Sequence, residues 1–146
     1  MKNRIAEKLF EREERLRREL DREKEHYMEL VEAAMSTGSF RYDQDKVTGS
    51  LPDGSRVEQK IVDYVELEQK IRKKAEDLAE VQMNIRILVG TIEAPRIRKV
   101  MQAIYVEHNE KSEIMQQQEI SEDTLRDYEW RGIDAVQKMI DGIQKI

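Results

Sequence analysis

The feature that most constrains the fold is a heptad repeat between residues 57 and 92. The first core position of the repeat is apolar in every heptad: Val57, Tyr64, Ile71, Leu78, Ile85 and Ile92. The second core position, four residues further on, holds Ile61, Glu68, Ala75, Gln82 and Val89. A repeat sustained in this way predicts a long helix that packs against another helix along a narrow seam. Glu68 and Gln82 would be polar interruptions that set the register of the pair.

Residues 2–35 supply a partner for that helix, because they contain no Gly or Pro and are rich in strong helix formers. Gaps that keep one helical face separate their apolar residues, which are Ile5, Leu9, Leu16, Leu20, Tyr27, Val31 and Ala34. The stripe has a charged gap near Glu13 and another near Lys24. The two segments predict a long antiparallel, coiled-coil-like hairpin. Its seam, which would be hairpin core or an oligomer interface, contains Leu16, Leu20, Tyr27, Tyr64, Ile71, Leu78 and Ile85.

Residues 36–55 are predicted to form a long loop, because Gly, Ser, Thr and Asp replace the helix formers there. Within it, Pro52-Asp53-Gly54 is typical of a turn, and Ser55 with Glu58 has the spacing of a capping box that starts the second helix. Phe40, Tyr42 and Val47 alternate in a way that fits either a short hairpin or an extended strap.

Gly90 and Pro95 break the second helix, and the remaining chain predicts three shorter helices at about 95–107, 110–118 and 122–144. Asn109 and Ser121 are the expected N-caps of the last two. The last helix would bury Leu125, Ile133, Val136, Ile140 and Ile143. The sequence therefore predicts an all-α protein: a helical hairpin over residues 1–94, followed by a small three-helix, helix-turn-helix domain over residues 95–146.

Composition argues against several classes of function. Charged residues make up 39% of the 146, there is no cysteine, and only two histidines are present. No apolar run is long enough to cross a membrane, and the N-terminus does not have the pattern of a signal peptide. No catalytic motif or phosphate-binding glycine loop occurs. We therefore expect neither an enzyme nor a cofactor.

Three isolated features have both a functional and a structural interpretation. Glu23-x-x-His26 has the spacing of a di-iron ligand pair, but lacks the second motif such a site requires, so a solvated helix face is favoured. Trp130 is expected to anchor a core or an interface rather than stack on a base. The cluster of Arg96, Arg98 and Lys99 fits phosphate contact and a solvated face equally well.

The last two helices fit a helix-turn-helix, in which the first helix braces the second so that its N-terminal turns enter the major groove. Ile120 would anchor the turn and Leu125 would pack back on the core. The residues left as candidates for phosphate or base contact are Ser121, Thr124, Arg126, Tyr128 and Arg131.

Several collinear segments resemble a known family. They are Tyr42-Asp-Gln-Asp-Lys-Val-x-x-Ser50, Ile61-Val-Asp-x-x-x-Leu-Glu-Gln-Lys-Ile71, Pro95-Arg96 opening a helix that ends in Tyr105-Val106, Ser112-Glu113-Ile114, and Ile120-Ser121-x-x-Thr124-Leu125. Together the segments are similar to small phage and prophage proteins of Gram-positive bacteria that join a coiled-coil half to a sigma-factor region-4-like helix-turn-helix. Most of that family is known only as a domain of unknown function. It is similar to transcription regulators of the autolysin-regulator and late-operon-activator type.

The resemblance implies a DNA-binding transcription regulator in the cytoplasm of a bacterial host cell. Its partners would be double-stranded DNA and RNA polymerase, with self-association as a homo-oligomer through the hairpin, and no membrane. The family usually has a glycine in the turn before its last helix, and its recognition helices tend to be basic. This chain has Gln117-Gln118-Glu119 in the turn. Its recognition helix carries four acidic residues, Glu122, Asp123, Asp127 and Glu129.

The alternative is a protein-interaction adaptor or structural phage protein with a degenerate helix-turn-helix that does not bind DNA. The acidic balance supports it, because residues 95–146 hold 8 basic and 10 acidic side chains. Pairing of Arg126 and Arg131 with Asp127 and Glu129 would decide in favour of this alternative.

Overall fold

A computed structural model describes residues 4–36 and 52–145, and every element in that part of the chain is an α-helix. The helices are α1 (Ile5–Ser36), α2 (Pro52–Gly90), α3 (Pro95–Tyr105), α4 (Lys111–Gln118) and α5 (Glu122–Gln144). The expectation of an all-α protein is confirmed. None of the helices in the described ranges is both long enough and apolar enough to cross a membrane.

The start of α2 differs from the prediction. Pro52, Asp53 and Gly54 lie in its first turn instead of forming a separate turn, and Ser55 is therefore not the N-cap. Proline suits this position because the first N–H groups of a helix have no intrahelical partner. The rest of the predicted loop, with Phe40, Tyr42 and Val47, lies outside the described residues.

Two shorter helices also differ at their ends. α3 ends at Tyr105, two residues before the predicted end, and the N-cap of α4 is Glu110 instead of Asn109. The Asn109 side chain instead donates a hydrogen bond of 3.2 Å to Oε2 of Glu107, and α4 has no side-chain cap hydrogen bond. α5 begins and ends where predicted.

The chain forms two compact units. Unit 1 comprises the described residues up to Arg15 and those from Leu78 onward, and unit 2 comprises Leu16–Asp77. Each unit therefore contains part of α1 and part of α2. The predicted boundary between residues 94 and 95 divides the chain into parts that would fold independently. The two compact units do not test independent folding, so this boundary stays a prediction.

In unit 1, α1 buries a face one residue away from the predicted stripe. Ala6 and Phe10 are buried, whereas Ile5 is 45% exposed. Successive residues on a helix differ by about 100° in direction, so Ala6 and Phe10 lie on a different side of α1 from Ile5. The other residues that complete this core are Leu78, Val81, Ile85, Val89, Ile92, Val100, Met101, Ala103, Ile114, Leu125 and Val136. Ile143, which was expected inside, is 62% exposed.

In unit 2, α1 and α2 run antiparallel. Nζ of Lys74 lies 2.6 Å from Oε1 of Glu23, while the Tyr64 hydroxyl donates a 2.8 Å hydrogen bond to the carbonyl of Leu30. The rings of Tyr27 and Tyr64 meet edge to face at 6.2 Å. Residues later in α1 therefore contact residues earlier in α2, as expected for two antiparallel helices.

The seam residues of unit 2 differ in burial. Leu16 and Leu20 are buried, and Tyr27, Tyr64 and Ile71 are half-buried. The expectation for the second core position was wrong at Ile61, which is 56% exposed, and at Glu68, which is exposed and pairs with Arg72 at 2.9 Å. The second core position is therefore exposed at Ile61 and Glu68, whereas Ala75 at the same heptad position is half-buried.

Candidate functional site

The last three helices enclose a small apolar core. Its buried residues are Val100, Ala103, Ile114 and Leu125, and the residues packed against them are Ile104, Met115, Ile120 and Tyr128. Ile120 and Leu125 occupy the anchoring and packing positions expected of a helix-turn-helix. Tyr128, expected to face DNA, packs against this core.

The turn between α4 and α5 contains three residues, Glu119 to Ser121. Glu119 has φ 54° and ψ 49°, a left-handed conformation. Its N–H and that of Ile120 both donate to the carbonyl of Met115, the latter at 3.1 Å. These bonds satisfy one of the carbonyl groups at the end of α4, that of Met115. The backbone therefore takes the conformation that glycine favours, although the residue is a glutamate.

Ser121 starts α5 as predicted. Its Oγ accepts a 3.2 Å hydrogen bond from the backbone N–H of Thr124, and the two hydroxyl groups lie 2.9 Å apart. Glu122 and Asp123 follow in the first turn, where a carboxylate interacts favourably with the helix dipole. The hydroxyl groups of Ser121 and Thr124 are thus part of the cap.

Both candidate arginines of α5 pair with a carboxylate one turn earlier. Arg126 lies 3.4 Å from Glu122, and Arg131 lies 3.0 Å from Asp127. All four side chains are more than half exposed. Exposed pairs of this kind contribute at most about 1 kcal/mol, so the arginines are restrained only weakly.

The carboxylate of Glu129 has a different environment. The Tyr105 hydroxyl of α3 donates a 2.7 Å hydrogen bond to its Oε1. Burial of the phenol raises the pKa of Tyr105 well above its usual range, and this acceptor raises it further. The Phe10 ring stacks on Tyr105, with 4.1 Å between ring centroids. Glu129 is thereby drawn toward the body of unit 1.

The beginning of α1 also packs on α5, which the sequence did not predict. Nη1 of Arg4 lies 3.1 Å from Oδ1 of Asp134, and the Arg4 guanidinium lies over the Trp130 ring at 5.9 Å from its centroid. The N–H of Ala6 donates to Oε1 of Gln137 at 2.9 Å. Trp130 remains 52% exposed. These contacts join residues more than 120 positions apart, and nothing in the local pattern indicates them.

Glu13 is a buried carboxylate, only 2% exposed. Its Oε1 lies 3.2 Å from Nε2 of His108, and Nε2 of Gln82 donates to the same oxygen at 3.2 Å. His108 itself adopts a positive φ of 56°. The sequence does contain a signal for this group, because Glu13 interrupts an apolar stripe and Gln82 interrupts the facing repeat. A polar residue at a buried position requires a partner.

The remaining candidate groups are placed as follows. Nη1 of Arg98 donates to the carbonyl of Ile92 at 2.9 Å, whereas Arg96 and Lys99 are exposed. Among the described residues, no three His, Asp or Glu side chains are grouped so that they could hold a metal ion. Between residues 110 and 131 the chain carries 3 basic and 7 acidic side chains, so this surface is acidic.

No curated protein and no solved structure matches this chain. A family model, described as a protein of unknown function, DUF1492, matches residues 35–140. The matched segment contains α2, α3 and α4 in full and includes most of α5. Because the match covers more than half of the sequence, the chain belongs to the DUF1492 family of proteins of unknown function.

Proposed function

We propose that α4, the turn and α5 form a sigma-region-4-like helix-turn-helix that binds double-stranded DNA, in a transcription regulator of phage or prophage type. α4 braces α5, and the first turns of α5 enter the major groove. Unit 2 serves self-association or contact with RNA polymerase.

The observation that carries the proposal is the three-residue turn from Glu119 to Ser121, in which Glu119 takes the left-handed conformation. The left-handed backbone conformation costs a residue with a Cβ atom about 1 kcal/mol or more. Two helices joined by a turn of three or four residues are typical of a helix-turn-helix. Arg126 and Arg131 lie exposed along the first half of this helix.

The acidic residues of α5 oppose DNA binding less than their number suggests. Glu129 is held by Tyr105, and Glu122 and Asp127 each lie beside an arginine. Exchanging an exposed carboxylate for a phosphate costs an arginine little, because the exposed pair is weak. Arginine also binds a phosphate through two parallel hydrogen bonds.

The test measures, by fluorescence anisotropy, how tightly the full chain binds a mixed-sequence DNA duplex at a range of salt concentrations. A regulator of this kind is expected to bind with micromolar affinity or better at low salt, and to weaken steeply as counterion release becomes less favourable. Absence of binding at low salt would overturn the proposal.

A charge-matched pair of variants tests the assignment to α5. Arg126→Ala with Arg131→Ala is expected to weaken binding about tenfold or more and to lower the salt slope by about two. The control, Lys138→Ala with Lys145→Ala, removes the same charge from exposed positions near the other end of α5. Equal effects of the two double variants would mean that α5 does not enter the groove through its first turns.

The acidic surface and the pairing of Arg126 with Glu122 and of Arg131 with Asp127 favour a second candidate, an adaptor whose helix-turn-helix contacts protein instead of DNA. Besides the 3 basic and 7 acidic side chains between residues 110 and 131, Trp130 exposes half of its surface. Exposed tryptophan is enriched at protein interfaces. If this candidate is correct, the fluorescence anisotropy of the DNA should not change when the chain is added at low salt.

A further inference from the structure

Unit 2 exposes a compact apolar patch on α2. Ile61 is 56% exposed, Val62 45% and Val65 46%. The three side chains lie within about one helical turn, and all of them are exposed to solvent. Contiguous exposed apolar side chains are a feature of interaction surfaces.

A groove of about 470 Å³ follows this patch along the same helix. Its lining includes Leu16 of α1 and, from α2, Glu66, Gln69, Lys70, Lys73 and Asp77. Val62, Glu66, Gln69 and Lys73 are spaced by four, three and four residues, so the patch and the groove share one face of α2. The long stems of Lys70 and Lys73 add apolar surface beneath their charged groups.

The patch and the groove are related in a way that suits a two-fold axis. The patch spans residues 61–65, and the part of α2 that lines the groove spans residues 66–77. An axis near Leu67 makes two copies of α2 antiparallel, with residue 61 opposite residue 73 and residue 65 opposite residue 69. The apolar patch of each copy then meets the groove of the other, as an isologous interface requires.

Charge selects the same arrangement. Asp63, Glu66 and Glu68 lie on the patch side of Gln69, and Lys70 and Lys73 lie beyond it. All five side chains are exposed. In an antiparallel pair about this axis, Asp63 of one copy lies opposite residue 71 of the other, between Lys70 and Lys73, while Glu66 and Glu68 lie on either side of the axis. A parallel pair would oppose like charges along the whole face.

We propose that unit 2 binds a second copy of this chain through the face of α2 formed by Ile61, Val62, Val65 and the adjoining groove, with a two-fold axis near Leu67. The inference rests on the self-association included in the proposed function and assigns a surface to it. The product is a symmetric dimer in which four helical segments, two from each copy, pack together.

Sedimentation equilibrium of the full chain at several concentrations tests the proposal, with helicity followed by circular dichroism. The wild-type chain is expected to fit a monomer–dimer equilibrium. Val65→Glu is expected to raise the dissociation constant about 100-fold or more, because a symmetric interface would bury two unpaired carboxylates. Val65 is already half exposed, so the monomer should keep its helicity.

The matched control is Met83→Glu. Met83 is 62% exposed on the same helix but belongs to unit 1. This variant is expected to dimerise like wild type. A wild-type chain that stays monomeric at every concentration overturns the proposal, and so does dissociation by Met83→Glu while Val65→Glu still dimerises.

Charge reversal tests the antiparallel register separately. Lys70→Glu with Lys73→Glu, and Asp63→Lys with Glu66→Lys, are each expected to weaken self-association about tenfold. An equimolar mixture of the two variants is expected to recover much of the lost affinity, because each mutated half then faces its complement. Failure of the mixture to recover would contradict the two-fold arrangement.

The DNA-binding measurement and the test of the dimer interface have independent outcomes. Arg126→Ala with Arg131→Ala should remain dimeric, because neither arginine belongs to unit 2. A chain that dimerises through Val65 and binds no DNA would refute only the helix-turn-helix proposal, and a monomer that binds DNA would refute only the interface.

Discussion

The Tyr105 hydroxyl donates a 2.7 Å hydrogen bond to Oε1 of Glu129 and so joins α3 to the middle of α5. The Phe10 ring of α1 stacks on the Tyr105 ring, with 4.1 Å between the ring centroids. One phenol thus ties the candidate recognition helix to two other helices of unit 1. The pair also draws one acidic side chain of α5 away from the surface proposed to meet DNA.

Tyr105 is expected to make unit 1 sensitive to alkaline pH. Its pKa in the folded chain lies above the ordinary value of about 10, so its contribution to stability is complete below pH 10 and is lost as the pH rises further. Between pH 10 and 11 the free energy of unfolding should fall by up to about 1 kcal/mol more in wild type than in Tyr105→Phe. Urea unfolding at both pH values measures this difference. Parallel losses in the two proteins would show that Tyr105 does not titrate differently on folding.

Glu119→Gly is expected to stabilise the chain by about 0.5–1 kcal/mol. Glu119 is held at φ 54°, where glycine has no penalty from a Cβ atom, although glycine loses more backbone entropy on folding. Thermal or urea unfolding measures the change. The control, Gln118→Gly, places glycine in the last turn of α4 and should destabilise by up to about 1 kcal/mol. If both variants lose stability equally, the turn does not hold Glu119 in the left-handed region.

Gly132→Ala and Gly142→Ala are expected to have opposite effects within the same helix. A Cβ atom at Gly132 would collide with the buried side chain of Met101, whereas one at Gly142 would meet nothing within 4 Å. Overpacking at Gly132 should cost about 1–3 kcal/mol, partly offset by the better helix propensity of alanine. Gly142→Ala should gain up to about 1 kcal/mol. Stability of Gly132→Ala equal to that of Gly142→Ala would contradict the packing of α5 on Met101.

Glu13→Ala is expected to destabilise unit 1 by about 2–4 kcal/mol. The substitution leaves His108 and Gln82 without their shared acceptor and opens a space at a position only 2% exposed. Glu11→Ala, at an exposed position two residues earlier on α1, should change stability by less than about 0.5 kcal/mol. The free energy of unfolding from urea titrations compares them. Similar values for the two variants would mean that Glu13 lies in solvent.

A fragment containing residues 95–146 is expected to be much less stable than the full chain. It retains α3, α4 and α5 but loses Phe10, Ile85 and Val89, which are buried in unit 1. Circular dichroism during heating should show a broader transition at lower temperature. A fragment that melts as cooperatively as the full chain would support the domain boundary predicted after residue 94.

Local chemistry explains which parts of the site could be predicted. The bounds of α5 and the cap at Ser121 depend on residues within one turn of one another, and the prediction was correct for both. The turn predicted at Pro52 was wrong, because proline favours turns and first helical positions alike. Residue types do not separate those alternatives when the flanking segment is polar.

Long-range contacts explain what could not be predicted. The heptads and the apolar stripe of α1 determined that the chain forms long amphipathic helices, because helical periodicity is a property of neighbouring residues. Only the tertiary structure decided that α1 turns Ala6 and Phe10 inward in place of Ile5, and that Glu13 meets His108. Rotating an amphipathic helix by one residue changes its own energy little, so the partner surface selects the buried face.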